Sequence, residues 1–125
     1  MGLTYDAGAL IAAEKNDRKF WLLHKTALKA KIQPTVPAGV LAEAWRKNVH
    51  ARIAGVVKGC TVEALDDTQA KAVGRLIGAS GLHDTVDVAV VEGTLRRGDA
   101  VVTSNRRHME QVAQAINRAV HVYDV

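Results

Sequence analysis

Short apolar stretches rich in β-branched residues alternate along this chain with longer helical segments, and this alternation limits the possible folds more than any other feature. A first strand is predicted at Leu3-Thr4-Tyr5 and a late strand at Ala100–Thr103. Because helical periodicity separates the strands, they must be joined by crossover connections, which make neighbouring strands parallel. Helices then cover both faces of the sheet. The sequence therefore predicts a three-layer α/β fold with a central parallel sheet.

The other elements follow from the same periodicities and from turn and cap signals. Further strands are expected at about Gln33–Val36, Cys60–Leu65 and Ala119–Tyr123, and helices at Ala7–Glu14, Asp17–Lys31, Pro37–Arg46, Val49–Lys58, Thr68–Ala79, Thr85–Arg97 and Arg106–Ile116. Asp66 or Asp67 is expected to cap the helix near Thr68, and Gly98 is expected to end the helix Thr85–Arg97. The buried faces of the second and third helices are predicted to comprise Phe20, Trp21, Leu23, Ala27 and Leu28, and Val40, Leu41, Ala44 and Trp45.

Length and composition limit the class of protein. At 125 residues, 48% of them hydrophobic and 24% charged, the chain is expected to form one globular domain over residues 1–125. Cys60 is the only cysteine, so an internal disulfide and a cysteine zinc cage are excluded. No targeting or membrane-spanning segment is evident, and a cytoplasmic location is expected. The net charge of +4 favours a polyanionic partner such as nucleic acid.

Four acids stand among apolar neighbours and are the candidate chemical groups: Asp6, Glu43, Asp84 and Asp87. Each also has a structural interpretation. Asp6 could cap the helix that follows it, Asp84 with Asp87 could form a variant capping box, and Glu43 could lie on an ordinary amphipathic face. Asp87, however, lies in an apolar run, where an ionised acid is rarely left unpaired.

Carboxylates that converge at strand ends repel one another, and a hard cation that takes oxygen ligands removes this repulsion. Ligands of parallel sheets collect at the carboxyl ends of the strands, where Asp6 and Ser104-Asn105 are expected. Mg²⁺, or Mn²⁺, at such a site suits phosphodiester hydrolysis, because the cation activates water and neutralises the phosphate.

Four segments in order carry a resemblance to a known family. They are Thr4-Tyr5-Asp6-Ala7-Gly8-Ala9-Leu10, the run from Thr35-Val36-Pro37 through Glu43-Ala44-Trp45-Arg46, Asp84-Thr85-Val86-Asp87-Val88-Ala89, and Val101-Val102-Thr103-Ser104-Asn105. In order and spacing they resemble PIN-domain ribonucleases, in particular the VapC-type toxins of VapBC toxin–antitoxin systems, and they span nearly the whole chain.

The resemblance implies a Mg²⁺-dependent endoribonuclease that acts as a toxin on cellular RNA. It implies that Asp6, Glu43 and Asp87 hold the metal, with Asp84 and Asn105 in support. It also implies a VapB-like antitoxin and a homodimer. Asn105 departs from the pattern, since many relatives have a fourth acid there, and His108 stands where others place a nearby Asp. Asn105 is equally well interpreted as a helix N-cap.

Other polar residues leave alternatives open. Thr103 and Ser104 could bind a phosphate or a metal-bound water, and Arg106 and Arg107 could face the substrate, although both pairs suit an ordinary solvated turn. The six Lys and Arg residues of the Lys15–Lys31 run could line an RNA groove or simply face solvent. The five histidines lack zinc-ligand spacing.

Two other functions compete with the nuclease hypothesis. One is a non-catalytic PIN module that binds RNA or a protein partner, its site weakened at position 105. The other, a phosphoacceptor receiver domain, is disfavoured because the acid pair and the late lysine that this fold requires are not found in the sequence.

Overall fold

Five parallel strands form one sheet in the computed structural model, which describes residues 1–45 and 50–125. The strands are β1 (Leu3–Tyr5), β2 (Thr35–Pro37), β3 (Thr61–Glu63), β4 (Ala100–Thr103) and β5 (His121–Asp124). Their order across the sheet is β3-β2-β1-β4-β5, and Thr4 pairs with Thr35 on one side and with Val101 on the other. The predicted parallel sheet is confirmed.

The helices match the predicted ones closely. They are α1 (Ala7–Glu14), α2 (Arg18–Lys29), α3 (Ala38–Ala44), α4 (Ala51–Lys58), α5 (Asp67–Ser80), α6 (Thr85–Arg97) and α7 (Arg106–Ala115). Asp66 caps α5 through its side chain, and Gly98 ends α6 with φ of 70°, as predicted. Within residues 1–45 and 50–125, no helix combines the length and the apolar character that crossing a membrane requires.

The two central strands explain why the fold has three layers. Every residue of β1 and of β4 is buried. Successive side chains of a strand point to opposite faces, so helices must cover both faces of these strands. Both α1 and α6 lie against β1 and β4; α1 also packs on α2, α3 and α4, and α6 on α5 and α7.

Some sequence predictions were wrong in detail. Trp45 and Leu28 were expected inside but are 44% and 42% exposed. The buried face of α2 is narrower than predicted and contains His24, whose Nδ1 lies 2.8 Å from the hydroxyl oxygen of Tyr5. Pro37 ends β2 instead of entering the first turn of the next helix.

Strand β3 is shorter than the predicted Cys60–Leu65, β5 begins two residues after the predicted Ala119, and α2 and α7 end before the predicted Lys31 and Ile116. At these element ends the hydropathy pattern continues, but the regular backbone hydrogen bonding of the strand or helix does not. The predicted end of α3 at Arg46 and start of α4 at Val49 lie outside the described residues.

Arg97 ties the end of α6 to the sheet. Its guanidinium lies 2.8 Å from Glu63 on β3 and 3.0 Å from Asp99, and it donates to the buried hydroxyl of Thr4 on β1. Gly93 makes room for this group, since a Cβ there would lie 2.8 Å from Nη1 of Arg97. A half-buried guanidinium that donates to three different partners is held in one geometry more firmly than an ordinary surface pair. The position of α6 over the sheet is thereby defined.

A second close approach joins α1 to the turn after β4. A Cβ on Gly8 would lie 2.2 Å from Oγ and 3.2 Å from the backbone nitrogen of Ser104. We expect Gly8→Ala to lower the free energy of unfolding by about 1–3 kcal/mol, because the turn must move to admit the methyl group. Gly74→Ala on α5 is the matched control, because a Cβ added there would have no atom within 4 Å apart from the backbone of its own helix and its chain neighbours.

The control substitution should raise stability by about 0.5–1 kcal/mol, because alanine loses less backbone entropy in a helix than glycine. Urea unfolding of the two variants measures both effects. A stability gain of the same size in both would show that Ser104 does not restrict position 8.

Candidate active site

The carboxyl ends of β1 and β4 meet at one edge of the sheet and bring the candidate polar residues together. Asp6 directly follows β1, and its backbone N–H donates to the carbonyl oxygen of Val102 at 3.2 Å. Ser104 and Asn105 directly follow β4. The chain reverses its direction of winding between β1 and β4, since β2 and β3 lie on one side and β5 on the other. Clefts at such a point bind ligands in open parallel sheets.

Asp6 is buried, with 7% of its surface exposed, and it caps α1. Its Oδ1 accepts a hydrogen bond from the N–H of Ala9 at 2.9 Å. Burial raises the pKa of this carboxyl, and the negative charge of Asp87 raises it further, against the hydrogen bonds from Thr103, Ala9 and Gly8. The ionised form of Asp6 therefore carries an electrostatic cost, and its neighbours orient the carboxyl group.

Asp87 lies in the first turn of α6, and Asp84 caps the same helix. Oδ1 of Asp84 accepts from the N–H of Asp87 at 3.0 Å, so Asp84 is the helix N-cap that the capping interpretation of this pair requires. The pKa of Asp87 is raised, chiefly by burial and also by the charge of Asp84, while a bond to His108 lowers it. The helix cap and the acid cluster are thus the same group of residues.

His108 is the site residue to which sequence reasoning assigned no role. Its Nε2 lies 2.5 Å from Oδ2 of Asp87, which joins the first turn of α7 to the first turn of α6. The signals in the sequence were its position three residues after Asn105 and its place where relatives of the resembled family carry an Asp. The pairing itself depends on how α6 and α7 pack, and no local pattern encodes that.

Asn105 caps α7, which was the structural alternative for this residue. Its Oδ1 accepts from the N–H of His108 at 3.2 Å, and its own N–H donates to the hydroxyl oxygen of Thr103 at 2.9 Å. The side-chain oxygen suggested as a metal ligand is therefore engaged by the helix.

Glu43 is exposed near the end of α3. That helix packs on α1 and α6, the helices that carry Asp6 and Asp87 at their starts. Gly39 allows the approach, because a Cβ there would lie 3.1 Å from a methyl carbon of Val86. Across residues 1–45 and 50–125, no three side chains of His, Cys, Asp or Glu are arranged so that they could hold a metal ion.

The residues that the structure gathers at this edge are thus Asp6, Asp87, Asp84, His108 and Asn105, with Thr103 beneath them. Two partly or wholly buried carboxylates of raised pKa form the centre of the group. Two carboxylates near each other bind a proton, a cationic side chain or a hard metal ion. His108 is one such cationic partner when it is protonated.

Comparisons with known proteins support the fold. No protein-family model and no curated protein matches the sequence. A chain in the crystal structure of VapBC2 from Rickettsia felis, bound to a DNA fragment from its promoter, is similar over 99% of this chain and 100% of that chain, with a TM-score of 0.72 and 12% identity. PAE2754 from Pyrobaculum aerophilum is similar over 97% and 83%, with a TM-score of 0.63 and 16% identity. The predicted three-layer α/β architecture is confirmed.

The raised pKa of Asp6 predicts how stability depends on pH. Between the ordinary value of about 3.9 and the raised folded value, the folded chain holds a proton that the unfolded chain has released. Stability therefore falls as pH rises through this interval and stays lower above it. Asp6→Asn keeps an equally good cap and removes the charge, so in EDTA it should be more stable than the wild type at pH 7, by up to about 1 kcal/mol.

This difference should vanish toward pH 3, where the wild-type carboxyl is also neutral. Asp66→Asn, at the exposed cap of α5, is the control and should change stability little at any pH. Urea unfolding between pH 3 and 8 measures all three proteins. A variant at position 6 that follows the wild-type pH curve in parallel would rule out an electrostatic cost at Asp6.

Proposed function

We propose that this chain is a Mg²⁺- or Mn²⁺-dependent endoribonuclease and the toxin of a toxin–antitoxin pair. The observation that supports it most strongly is that two carboxylates of raised pKa influence each other: Asp6 follows the central strand β1, and Asp87 lies in the first turn of α6. The choice of RNA as substrate follows from the resemblance of the four sequence segments to VapC-type toxins.

The donor set fits a hard cation of the magnesium type. Mg²⁺ usually keeps several waters and is bound through one or two carboxylates together with substrate phosphates, so it does not need a cage of three protein ligands. Asp6 and Asp87 would hold it, with Glu43 and Asn105 contributing directly or through water. When bound, such a cation lowers the pKa of a water and neutralises charge on the phosphate.

Other residues of the chain prepare these carboxylates. Thr103 and the amides of Gly8 and Ala9 orient Asp6 with hydrogen bonds that favour its ionised form. Asp84 starts α6 so that Asp87 faces the edge of the sheet, and His108 holds one oxygen of Asp87. Residues that hold a charged ligand in one rotamer lower the reorganisation needed when substrate arrives.

One specific observation favours a second candidate, the non-catalytic module. His108 occupies an oxygen of Asp87, and Asn105 brings no charge where relatives of the resembled family carry an acid. An imidazolium neutralises part of the repulsion that a metal would otherwise relieve. A chain of this kind would bind RNA or a protein through the same edge without cleaving it.

The activity test uses the two central acids. Asp6→Asn and Asp87→Asn should each lower the rate of RNA cleavage on the order of 100-fold or more, because each removes a charged ligand of the cation. Cleavage by the wild type should require Mg²⁺ or Mn²⁺ and stop in EDTA. Single-turnover cleavage of a labelled RNA pool measures these rates, with Asp66→Asn as the control that keeps full activity.

Full activity in both site variants, purified away from contaminating nucleases, would contradict the proposed site. Metal-independent cleavage would contradict the proposed cofactor. No cleavage by the wild type, together with RNA binding, would favour the non-catalytic module.

A partner that silences the nuclease is part of the proposal. Leu22 on α2 is 71% exposed and lines two cavities, of about 490 and 580 Å³, on either side of the helix. Lys19 lines both cavities and Lys25 lines the larger one. An amphipathic antitoxin helix with acidic flanks would bury the apolar groups and pair with the lysines. An antitoxin Arg or Lys could also pair with Asp6 or Asp87. A homodimer remains a prediction from the resemblance.

Expression in cells tests the partner. The chain alone should arrest growth, and co-expression of a small protein encoded beside its gene should relieve the arrest and co-purify with it. Leu22→Asp should weaken that complex more than tenfold, because it places a charge in the apolar contact, and should leave cleavage intact. Leu65→Asp, at another exposed leucine, is the control. Normal growth with abundant wild-type protein would contradict the toxin proposal.

A further inference from the structure

A cavity of about 220 Å³ opens beside Asp6, between α1 and the turn that follows β4. Gly8 and Ser104 line it at the end nearest the carboxylates, and the N–H of Gly8 is one of the hydrogen-bond donors to Asp6. A Cβ on Gly8 would lie 2.2 Å from Oγ of Ser104, so these two residues are in close contact at this end of the cavity. The cavity therefore adjoins the candidate active site through Gly8 and Ser104, which lie within two residues of Asp6 and Thr103 in the sequence.

The wall formed by α1 is one stripe of the helix. Gly8, Ile11, Ala12 and Lys15 are spaced by three, four and seven residues, so they lie on one face. Ile11 and Ala12 are half-buried and make an apolar floor. Lys15 is exposed and ends the stripe, about 10 Å along the helix axis from Gly8. Within the described part of the chain, no carboxylate forms an ion pair with its ammonium.

Asp17 also lines the cavity and is the N-cap of α2. Oδ2 of Asp17 accepts from the N–H of Phe20 at 2.9 Å and so caps α2. Its carboxylate repels phosphate but accepts hydrogen bonds from the exocyclic amino groups of bases. The cavity thus presents, in order from the active site, a hydroxyl, an apolar floor, and a cation beside a carboxylate.

This sequence of groups matches one nucleotide. An unpaired base can lie on an apolar surface and use its edge for hydrogen bonds, while its phosphate pairs with a cation. The volume is below the roughly 300 Å³ at which pockets for drug-sized ligands begin, which suits a single base. A base inside a duplex could not enter such a cavity without being flipped out.

We infer that this cavity is a nucleotide subsite: the base next to the cleaved phosphate lies on Ile11 and Ala12, and the flanking phosphate contacts Lys15. The inference rests on the proposed nuclease function and deepens it. If the base occupies this cavity, the substrate must be RNA that is single-stranded at the cleavage point.

The test separates binding from cleavage. Fluorescence anisotropy of a labelled single-stranded RNA dodecamer and of its duplex is measured in EDTA over a range of salt concentrations. Lys15→Gln should raise the Kd for the single strand about threefold and reduce the slope of log Kd against log salt by about 0.7, because one phosphate contact is lost. Lys29→Gln, at an exposed lysine in the last turn of α2, should change neither.

A second variant tests the floor of the cavity. Ala12→Leu fills the space for the base, so it should weaken single-strand binding with the salt slope unchanged. Ala70→Leu, at an exposed alanine on α5, is its control. Circular dichroism confirms that each variant folds, and Lys15→Gln, at an exposed position, keeps the test valid if Ala12→Leu does not fold.

Equal Kd values and salt slopes for Lys15→Gln and Lys29→Gln would overturn the subsite, as would equal affinity for the duplex and the single strand. The subsite is also overturned if the wild type binds neither RNA, or if Lys15→Gln weakens binding of a co-purified protein but not of RNA. Binding that depends on Lys15 without any cleavage by the wild type in Mg²⁺ would support the subsite and refute the nuclease.

Discussion

The parallel pairing of β1 with β4 at the centre of the sheet is the constraint on which the rest of this structure depends. These strands are about 95 residues apart in the chain, yet Leu3 pairs with Ala100 and Tyr5 with Val102. The pairing places Asp6 beside Thr103, which hydrogen-bonds to its carboxylate, and brings α1 and α6 against the same two strands. Helices α1 and α6 begin at this edge of the sheet, so their first turns lie near each other. A shift of one residue in this register would turn the buried side chains of β4 toward the opposite face.

Two of the acids at this edge, Asp6 and Asp84, cap helices and also belong to the carboxylate cluster. Asp6 and Asp84 cap helices through backbone N–H groups, and Asn105 does the same for α7. An anion at a helix N-terminus is stabilised by those donors and by the helix dipole. This explains how the chain keeps carboxylates whose pKa values are raised by burial and by one another. The carboxylates are therefore held in place by the fold itself, with His108 bonded to Asp87.

The parts of the site that the sequence predicted are those with local signals. Asp6 and Asp84 precede helices and match the cap preferences, and α6 has the predicted bounds. The same local reasoning failed for Trp45 and His24. A large apolar residue near a helix end was assigned to the core because periodicity cannot say how far the neighbouring elements reach. A polar residue on an apolar face was passed over, although the hydroxyl of Tyr5, 19 residues earlier, satisfies it.

The sequence by itself determined the elements, their order and several helix caps, because periodicity, cap preferences and the left-handed conformation at Gly98 act within a few residues. Those elements in that order already imply a parallel sheet with polar groups at its carboxyl edge. Only the tertiary structure decided that β1 lies between β2 and β4, that Asp87 comes near Asp6, and that His108 bonds to Asp87. It also decided that Gly8 and Ser104 leave a cavity beside them. These contacts join residues far apart in the chain, and their geometry is set by how whole helices pack on the sheet, which no local signal encodes.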